Sequence, residues 1–422
     1  MKELKTKGTN EKTLFFVAPS GLKVYLWNNP KRQNTYMSLT VKYGSRDTKF
    51  KCNNVEYEVP SGTAHYLEHL KFNMKDVKVS DLFFDLGLDY NAYTTTKNTT
   101  YEVYGNDNIY DGCKLLLDFV FDNYFTKALV ENERNIILEE AKSKKDRPGF
   151  NFHQKTVENF YVNECYIPPV IGYEKDIKRI SLEDISMVHD FFYRPENMFM
   201  VITGNFDPEK MEKVICDNEK DRKFNNIGKL EYSHPLETSK LKHKQYIVKD
   251  RKVKNTGGKL TIKTIVEEYK KVDQKDIYCA LRVLLSANFG STSDFYDQLI
   301  LSGLASSLST TVSIDLNTVN IEFNFSSEEP KKVFKLIKDK LKNMDFNEED
   351  MIRIKRCIKA SYILDYENIY NVADLLIASL INYDSHDDGF YEKFDKVNIN
   401  QMKKIYKMVN LENYSEGIVS PE

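Results

Sequence analysis

Two of the seven histidines in this 422-residue chain lie within the stretch SGTAHYLEHLKFN, which spans residues 61–73. His65 and His69 are four residues apart, so on a helix both rings face one point, and Glu68 borders the same face. Two imidazoles suit Zn²⁺, and a carboxylate beside them can take a proton from water that the metal activates. The pattern H-x-x-E-H therefore predicts zinc-dependent hydrolysis. The alternative is that the two histidines only decorate a helix.

A catalytic zinc ion needs a third protein ligand, and the candidates are His, Asp or Glu on another element. In the helix predicted over 127–145, Glu133 and Glu140 lie seven residues apart, which is about two full turns. Val130 and Ile137 share their stripe, so this face should be buried, and two buried carboxylates are costly unless a cation meets them. The alternative interpretation is that the glutamates of this helix form a solvated acidic run.

The elements around the motif should hold it at a sheet. Residues 13–29 and 35–44 are rich in β-branched and aromatic residues and predict antiparallel strands. The motif helix should begin at Ser61 or Thr63, whose hydroxyls can cap it. Residues 89–105 (DYNAYTTTKNTTYEVYG) are rich in Thr and Tyr and predict a hairpin.

The pattern of helices and strands in the first half starts again in the second. Residues 226–245 are charged and lose periodicity, which is typical of a linker. A helix, a strand hairpin and long helices follow, the last of them predicted over 347–383. We therefore predict an α+β protein with two duplicated α/β-sandwich domains, each a mostly antiparallel sheet with helices packed on it. Residues 1–225 would form the zinc-binding domain, and residues 246–422 a degenerate second copy.

The two halves differ at the candidate ligands. When they are aligned, Ile354 and Ser361 of the second half stand opposite Glu133 and Glu140 of the first. The second copy therefore lacks the carboxylates, and we expect no metal site there.

Composition narrows the remaining classes of function. Hydrophobic residues make up 41% of the chain and charged residues 29%, as in a globular protein, and the net charge of −2 gives no case for nucleic acid or an anionic membrane as partner. The first residues contain only a short apolar run, too short for a signal peptide or a membrane span. The six cysteines form no C-x-x-C pair, which fits reduced thiols. These features predict a cytoplasmic protein.

Three stretches together carry a resemblance to a known family. GTAHYLEHLKF, then NAYTTTKNTTY, then ENERNIILEEAKSKKDRP resemble the pitrilysin/insulinase family of inverted zincins, and most closely its mitochondrial-processing-peptidase-like bacterial branch. The resemblance covers essentially the whole chain and is strongest in the first domain. It implies that the two domains form half of a clamshell that encloses the active site.

The resemblance also implies roles for individual residues. The zinc ligands would be His65, His69 and Glu140, for one Zn²⁺ per chain. Glu68 would be the general base, and Glu133 a supporting carboxylate of the catalytic site.

The family's Asn-Ala-x-Thr strand holds substrate beside the metal, which here points to Asn91, Ala92 and Tyr93. The resemblance therefore implies a zinc endopeptidase that binds unstructured peptides as an added strand and excludes folded proteins. Leader peptides of ribosomally made peptides are one candidate class of substrate, and general peptide turnover is the rival.

One part of the family pattern is missing. Many members carry an Arg and a Tyr that contact substrate and steady the oxyanion, but in YDQLILSGLASSLS the matching positions are Ile300 and Ser306. We therefore expect a heterodimer with a homologous subunit that lacks HxxEH and carries the Arg/Tyr pair, in preference to a homodimer. The alternative function is a catalytically idle relative that binds peptides or serves as a scaffold.

Overall fold

The structure is a computed structural model that describes residues 1–224, 227–269, 272–387 and 389–421. Its strands are β1 Lys2–Lys5, β2 Lys12–Val17, β3 Lys23–Asn28, β4 Thr35–Val41, β5 Lys49–Cys52, β6 Val55–Glu58, β7 Asn73–Met74, β8 Val77–Lys78, β9 Asp89–Thr94, β10 Thr99–Gly105, β11 Met198–Gly204, β12 Leu230–Tyr232, β13 Gln245–Lys249, β14 Gly257–Ile265, β15 Ser307–Asp315, β16 Thr318–Ser326 and β17 Tyr414–Ser420. Its α-helices are α1 Thr63–Lys71, α2 Val79–Leu86, α3 Ile109–Phe121, α4 Lys127–Lys145, α5 Phe150–Phe160, α6 Glu174–Ile177, α7 Leu182–Phe192, α8 Pro208–Glu219, α9 Gln274–Phe289, α10 Asp294–Leu301, α11 Pro330–Lys342, α12 Glu348–Asp365, α13 Ile369–Tyr383, α14 Phe390–Lys396 and α15 Ile399–Tyr406.

The chain forms two compact units whose segments alternate along the sequence. Unit 1 consists of Met1–Lys142, Pro168–His234 and Ile363–Asp388, and unit 2 of Ser143–Ile167, Pro235–Tyr362 and Gly389–Glu422. The predicted domain boundary at residues 225 and 226 lies outside the described residues, and the predicted domain ranges stay a prediction. Among the described helices, none is both long enough and apolar enough to cross a lipid bilayer.

Five neighbouring strands of the large sheet of unit 1 have the same pairing order as the large sheet of unit 2. In the described residues, the large sheet of unit 1 has the order β1-β2-β3-β11-β4-β10-β9, and that of unit 2 has the order β13-β17-β14-β16-β15. Each contains one parallel pair, β3 with β11 and β13 with β17, and antiparallel pairs follow in the same sequence. The predicted α+β class and the duplication are therefore confirmed.

The sheet of unit 1 is covered on both faces at its centre. Every residue of β4 and β11 is buried, because both strands pack against helices on the two faces of the sheet. β11 is a nearly continuous apolar run, whereas β4 includes the buried hydroxyl residues Thr35, Ser38 and Thr40. One face packs against α1, α3, α7 and α8. The other face, with Tyr25, Trp27 and Phe199, packs against α13. Helices on both faces therefore hold in place the sheet on which the motif helix α1 packs.

The helix predicted over 347–383 is wrong, because the structure has two helices there. Helix α12 ends at Asp365 and α13 begins at Ile369. Asn368 interrupts the run: its backbone is extended, and its side chain accepts a hydrogen bond of 2.8 Å from the N–H of Tyr370. An asparagine that caps the second helix competes with continuation of the first, and apolar periodicity alone does not reveal this.

A buried histidine in unit 1 makes the stability of the protein depend on pH. His189 of α7 packs between the rings of Phe125 and Tyr193. Burial, followed by the charge of Lys71, lowers the pKa of His189 to about 4. The unfolded chain therefore binds a proton in the window from about pH 6.5 to about pH 4 that the folded chain does not, so the free energy of unfolding falls as pH falls through that window.

We expect the wild type to lose about 2 kcal/mol more of its unfolding free energy than His189→Phe between pH 7 and pH 5. Phenylalanine fills the aromatic site and does not titrate. Urea unfolding at both pH values measures the difference. Equal losses in the two proteins would show that His189 does not carry this pH dependence.

Candidate metal centre

The N-terminus of the motif helix α1 has no side-chain cap, so the predicted cap from Ser61 or Thr63 is wrong. The N-cap is Gly62, in the left-handed conformation at φ 91°, and no side chain caps the helix. A Cβ on Gly62 would lie 2.4 Å from the carbonyl oxygen of Ile171. The hydroxyl of Ser61 is used elsewhere, because it donates to Asp176 at 2.7 Å. A close backbone contact at a left-handed residue therefore sets where α1 begins.

Helix α1 is fixed against the glutamate-bearing helix α4. Tyr66 is fully buried and its hydroxyl donates to the carbonyl oxygen of Val130. Val130 and Ile137 are 2% and 0% exposed, so this face of α4 is buried, as the sequence predicts. Their neighbours Glu133 and Glu140 therefore face α1, with side chains 15% and 31% exposed.

The two motif histidines and Glu140 converge on one point. The Nε2 atoms of His65 and His69 lie 3.7 Å and 3.3 Å from Oε2 of Glu140. The two imidazole rings are 4.7 Å apart at their centres. One potential ligand atom from each residue lies within 4.8 Å of the others. The structure thus brings together the three ligands that the family resemblance implies.

Glu133 contacts the outer nitrogen of one of these rings. Nδ1 of His69 lies 2.9 Å from Oε1 of Glu133. With the proton on Nδ1, the ring donates to Glu133 and keeps the lone pair of Nε2 directed at Glu140. Burial lowers the pKa of His69, but the hydrogen bond to Glu133 and the charges of Glu133, Glu68 and Glu140 outweigh it and raise the pKa overall. The pocket thus favours positive charge.

The donor set fits zinc. Ligand bonds of about 2.0–2.2 Å in a tetrahedral site place the ligand atoms roughly 3.3 Å apart. The separations from Glu140 to the two histidines, 3.3 Å and 3.7 Å, lie close to this value. Two imidazoles and one carboxylate are also the donor set of many hydrolytic zinc sites, and they leave a position for water.

Glu68 of α1 interacts electrostatically with the candidate ligand His69, and its carboxylate reaches the edge strand of the sheet. Its side chain is buried, and Oε2 accepts a hydrogen bond from the hydroxyl of Thr94. Thr94 is the last residue of β9, which forms the edge of the seven-stranded sheet in the described residues. Sequence reasoning missed Thr94, although strict alternation along the strand places it on the same face as Ala92.

The residues predicted to hold substrate all lie on β9. Ala92 packs on the core beneath the helices, on the face that Thr94 shares. Asn91 and Tyr93 pair with Glu102 and Thr100 of β10 and therefore point to the opposite face. The edge strand thus presents side chains to both faces, and no strand of the described residues pairs with its outer side.

In the zinc peptidase that the resemblance implies, Thr94→Val should slow catalysis and leave zinc binding unchanged. Valine keeps the shape of threonine but removes the donor to Glu68, so the carboxylate loses one of its fixed positions. We expect kcat to fall about three- to tenfold. Thr94→Ser, which keeps a hydroxyl, should recover most of the rate. Peptidase assays with zinc analysis test this, and a normal kcat in Thr94→Val would remove Thr94 from the site.

The second unit has no counterpart of this centre among its described residues. Ile354 is buried in the core of unit 2 and Ser361 is exposed on α12. Ile300 packs on the core of unit 2 from α10, and Ser306 is exposed just before β15. Neither Ile300 nor Ser306 can supply the cationic donor of an arginine or the phenolic donor of a tyrosine.

Comparison with known proteins shows which protein family has similar sequences. The family model described as insulinase (peptidase family M16) matches residues 23–167, and the model described as peptidase M16 inactive domain matches residues 179–356. The uncharacterized zinc protease YmfH of Bacillus subtilis (strain 168) is 28% identical over 312 residues, covering 73% of this chain and 71% of YmfH.

Solved structures share the fold. An M16-like peptidase from Alicyclobacillus acidocaldarius superimposes with a TM-score of 0.90 at 22% identity, covering 99% of this chain and 100% of that chain. The periplasmic protease PqqL from Escherichia coli gives a TM-score of 0.77 at 16% identity, and the match covers 100% of this chain and 48% of PqqL. With two family models that together span most of its length, the chain belongs to the insulinase family, peptidase family M16.

Proposed function

We propose that the protein is a zinc endopeptidase that cleaves unstructured peptides. The observation that carries this proposal is the convergence of His65, His69 and Glu140, whose ligand atoms lie within 4.8 Å of one another, with the carboxylate of Glu68 beside them. These three residues would hold one Zn²⁺. The relative YmfH, described as a zinc protease, supports the same chemistry.

Each residue of the centre has a defined task in peptide hydrolysis. Zinc, when bound, supplies a Lewis acid that acidifies water and polarises the scissile carbonyl. Glu68 takes the proton from the attacking water and then delivers it to the leaving amine. Glu133 holds the ring of His69 through Nδ1, and Thr94 holds the carboxylate of Glu68. The side chain of Glu140 closes the ligand set from α4.

The substrate would bind along β9 as an added strand. Main-chain hydrogen bonds to this edge give affinity for any extended peptide, and side chains on the two faces give selectivity. In folded proteins, most strands already pair with neighbouring strands and cannot pair with β9. Unstructured peptides are therefore the substrates that fit this mode of binding. Leader peptides of ribosomally made peptides are the first substrates that we propose to test.

The protein would act as the catalytic subunit of a two-chain enzyme. Ile300 and Ser306 supply neither the guanidinium nor the phenol that steady the oxyanion in many family members, and loss of one oxyanion donor typically costs about 10²–10³ in rate. The match of the whole chain to about half of PqqL supports a partner of similar size. A homologous subunit with the Arg/Tyr pair would complete the site.

A catalytically idle role in peptide binding is the second candidate, because residues 179–356 match a domain described as inactive. Cleavage of a labelled unstructured peptide, with zinc and with a chelator, separates the two. We expect zinc-dependent cleavage that rises when the homologous subunit is added, with a heterodimer mass by light scattering. Peptide binding without cleavage, alone and with the subunit, would support the idle role. Full activity of the isolated chain would contradict the two-chain arrangement.

A further inference from the structure

A cleft lies on the face of the unit 1 sheet opposite the metal centre. Its volume is about 310 Å³, and β4, β9, β10 and α13 contribute the lining side chains Tyr36, Asn91, Glu102, Tyr104, Tyr370 and Asp374. We call it the acidic cleft. It reaches the edge strand β9, where the proposed substrate would bind.

The strand register places the acidic cleft and the metal centre on opposite faces of β9. Asn91 pairs with Glu102, and Tyr104 pairs with Tyr36, so these side chains share one face. Thr94 points to the other face, where it contacts Glu68. A peptide paired with β9 would therefore direct alternate side chains at the metal centre and at the acidic cleft.

The cleft has the chemistry of a cation site. Glu102 is half-buried, accepts a hydrogen bond of 2.6 Å from the hydroxyl of Tyr36 and lies 3.4 Å from Nδ2 of Asn91. Asp374 stands at the rim. In the part of the chain that the structure describes, neither carboxylate forms an ion pair with Lys, Arg or His. Burial, and to a smaller extent the charge of Asp374, outweigh the two hydrogen bonds and raise the pKa of Glu102. A cation bound here would stabilise the charged form of both carboxylates.

Aromatic rings complete the lining. Tyr370 of α13 meets Tyr36 and Tyr104 edge-on, with ring centres 5.4 Å and 5.8 Å apart. Ring faces beside carboxylates favour the guanidinium of arginine or the ammonium of lysine over a neutral side chain. Carboxylates alone would suit a metal ion equally well. The tyrosines instead point to an organic cation.

We propose that the acidic cleft binds the lysine or arginine side chain of a peptide that adds to β9, an assignment that rests on the proposed function. Adjacent strands lie about 4.8 Å apart, so the residue opposite Asn91 on an added strand is about 10 Å from the backbone of Glu102. A long basic side chain that extends across Asn91 reaches the carboxylate at that distance. The cleft thus selects peptides with a basic residue at the positions whose side chains point to the cleft face of β9, which are every second residue of the added strand.

Peptide binding to the full-length Glu68→Gln protein tests the assignment without turnover. The probe is a fluorescent, flexible ten-residue peptide with a single arginine moved along it, compared with the same peptides carrying glutamine. We expect arginine to tighten binding about tenfold at alternating positions only. The gain should vanish when Glu102→Gln and Asp374→Asn are added, and persist with Glu183→Gln, an exposed carboxylate of α7. Equal affinity for arginine and glutamine at every position, or a gain that survives in the cleft variant, would overturn the proposal.

A charge reversal guards against a variant that merely unfolds. Position 374 is exposed on α13. Asp374→Lys combined with Glu102→Gln leaves the cleft with one positive charge and no carboxylate, and should transfer the preference from arginine to glutamate peptides, a gain that damage to the fold cannot produce. Cleavage by the unaltered zinc-loaded protein, assayed alone and with the homologous subunit, separates this proposal from the proposed function. Cleavage of arginine and glutamine peptides at equal rates defeats the cleft assignment alone. Cleft-dependent binding without any cleavage keeps the cleft as a peptide site and defeats the endopeptidase.

Discussion

Glu68→Gln should retain zinc and lose peptidase activity by about 10²–10⁴-fold in kcat. Glutamine has the size of glutamate and can still accept the hydrogen bond from Thr94, so the fold and the three ligands should be unchanged. It cannot take a proton from water or return one to the leaving amine. Both halves of the proton transfer are therefore lost together. Peptide cleavage measured beside the zinc content of the same preparation checks this.

The matched control for this change is Glu139→Gln. Glu139 lies on α4 with its side chain 75% exposed, outside the centre. It should leave both activity and zinc content as in the wild type. Retained cleavage in Glu68→Gln would remove Glu68 from the mechanism, and loss of zinc in that variant would make it a ligand instead of the base.

Glu140→Gln should weaken zinc binding more than any other change on α4. Oε2 of Glu140 lies 3.3 Å from Nε2 of His69 and 3.7 Å from Nε2 of His65. Glu133→Gln removes only the carboxylate that orients His69, a change that typically costs about 10–100-fold in metal affinity. We expect the loss in Glu140→Gln to exceed 100-fold, beyond the range for an orienting residue.

Competition with a zinc chelator measures the three affinities, with Glu139→Gln again as the unaffected reference. Circular dichroism confirms that each variant is folded. A larger loss in Glu133→Gln than in Glu140→Gln would reverse the roles of the two glutamates. Equal, small losses in both would place the third ligand elsewhere.

Local pattern in the sequence predicted the candidate residues of this centre, and the family resemblance singled out Glu140 as the third ligand. The four-residue spacing of His65 and His69 fixes both rings on one helical face, and the buried stripe of Val130 and Ile137 turns the glutamates of α4 inward. These are constraints of helix geometry, which the sequence carries directly. What spacing could not decide is which glutamate meets which nitrogen. That depends on how α1 packs on α4, where the buried hydroxyl of Tyr66 contacts the backbone.

Features that depend on contacts between distant segments escaped prediction. Gly62 caps α1 because the backbone at Ile171 passes close to it, and nothing near Gly62 in sequence signals this. The break at Asn368 is of another kind, because it depends on one local hydrogen bond between the Asn368 side chain and the N–H of Tyr370. The acidic cleft joins Glu102 of β10 with Asp374 of α13, and only the fold of unit 1 brings the two together.

Zinc content of the purified protein tests the central claim most directly. The wild type and His65→Ala are dialysed against micromolar zinc, then against metal-free buffer, and bound metal is measured per chain by mass spectrometry with folding checked by circular dichroism. We predict one zinc per wild-type chain and none in His65→Ala. A folded wild type that holds no zinc, or equal zinc in the two proteins, would contradict the assignment of this centre as a zinc site.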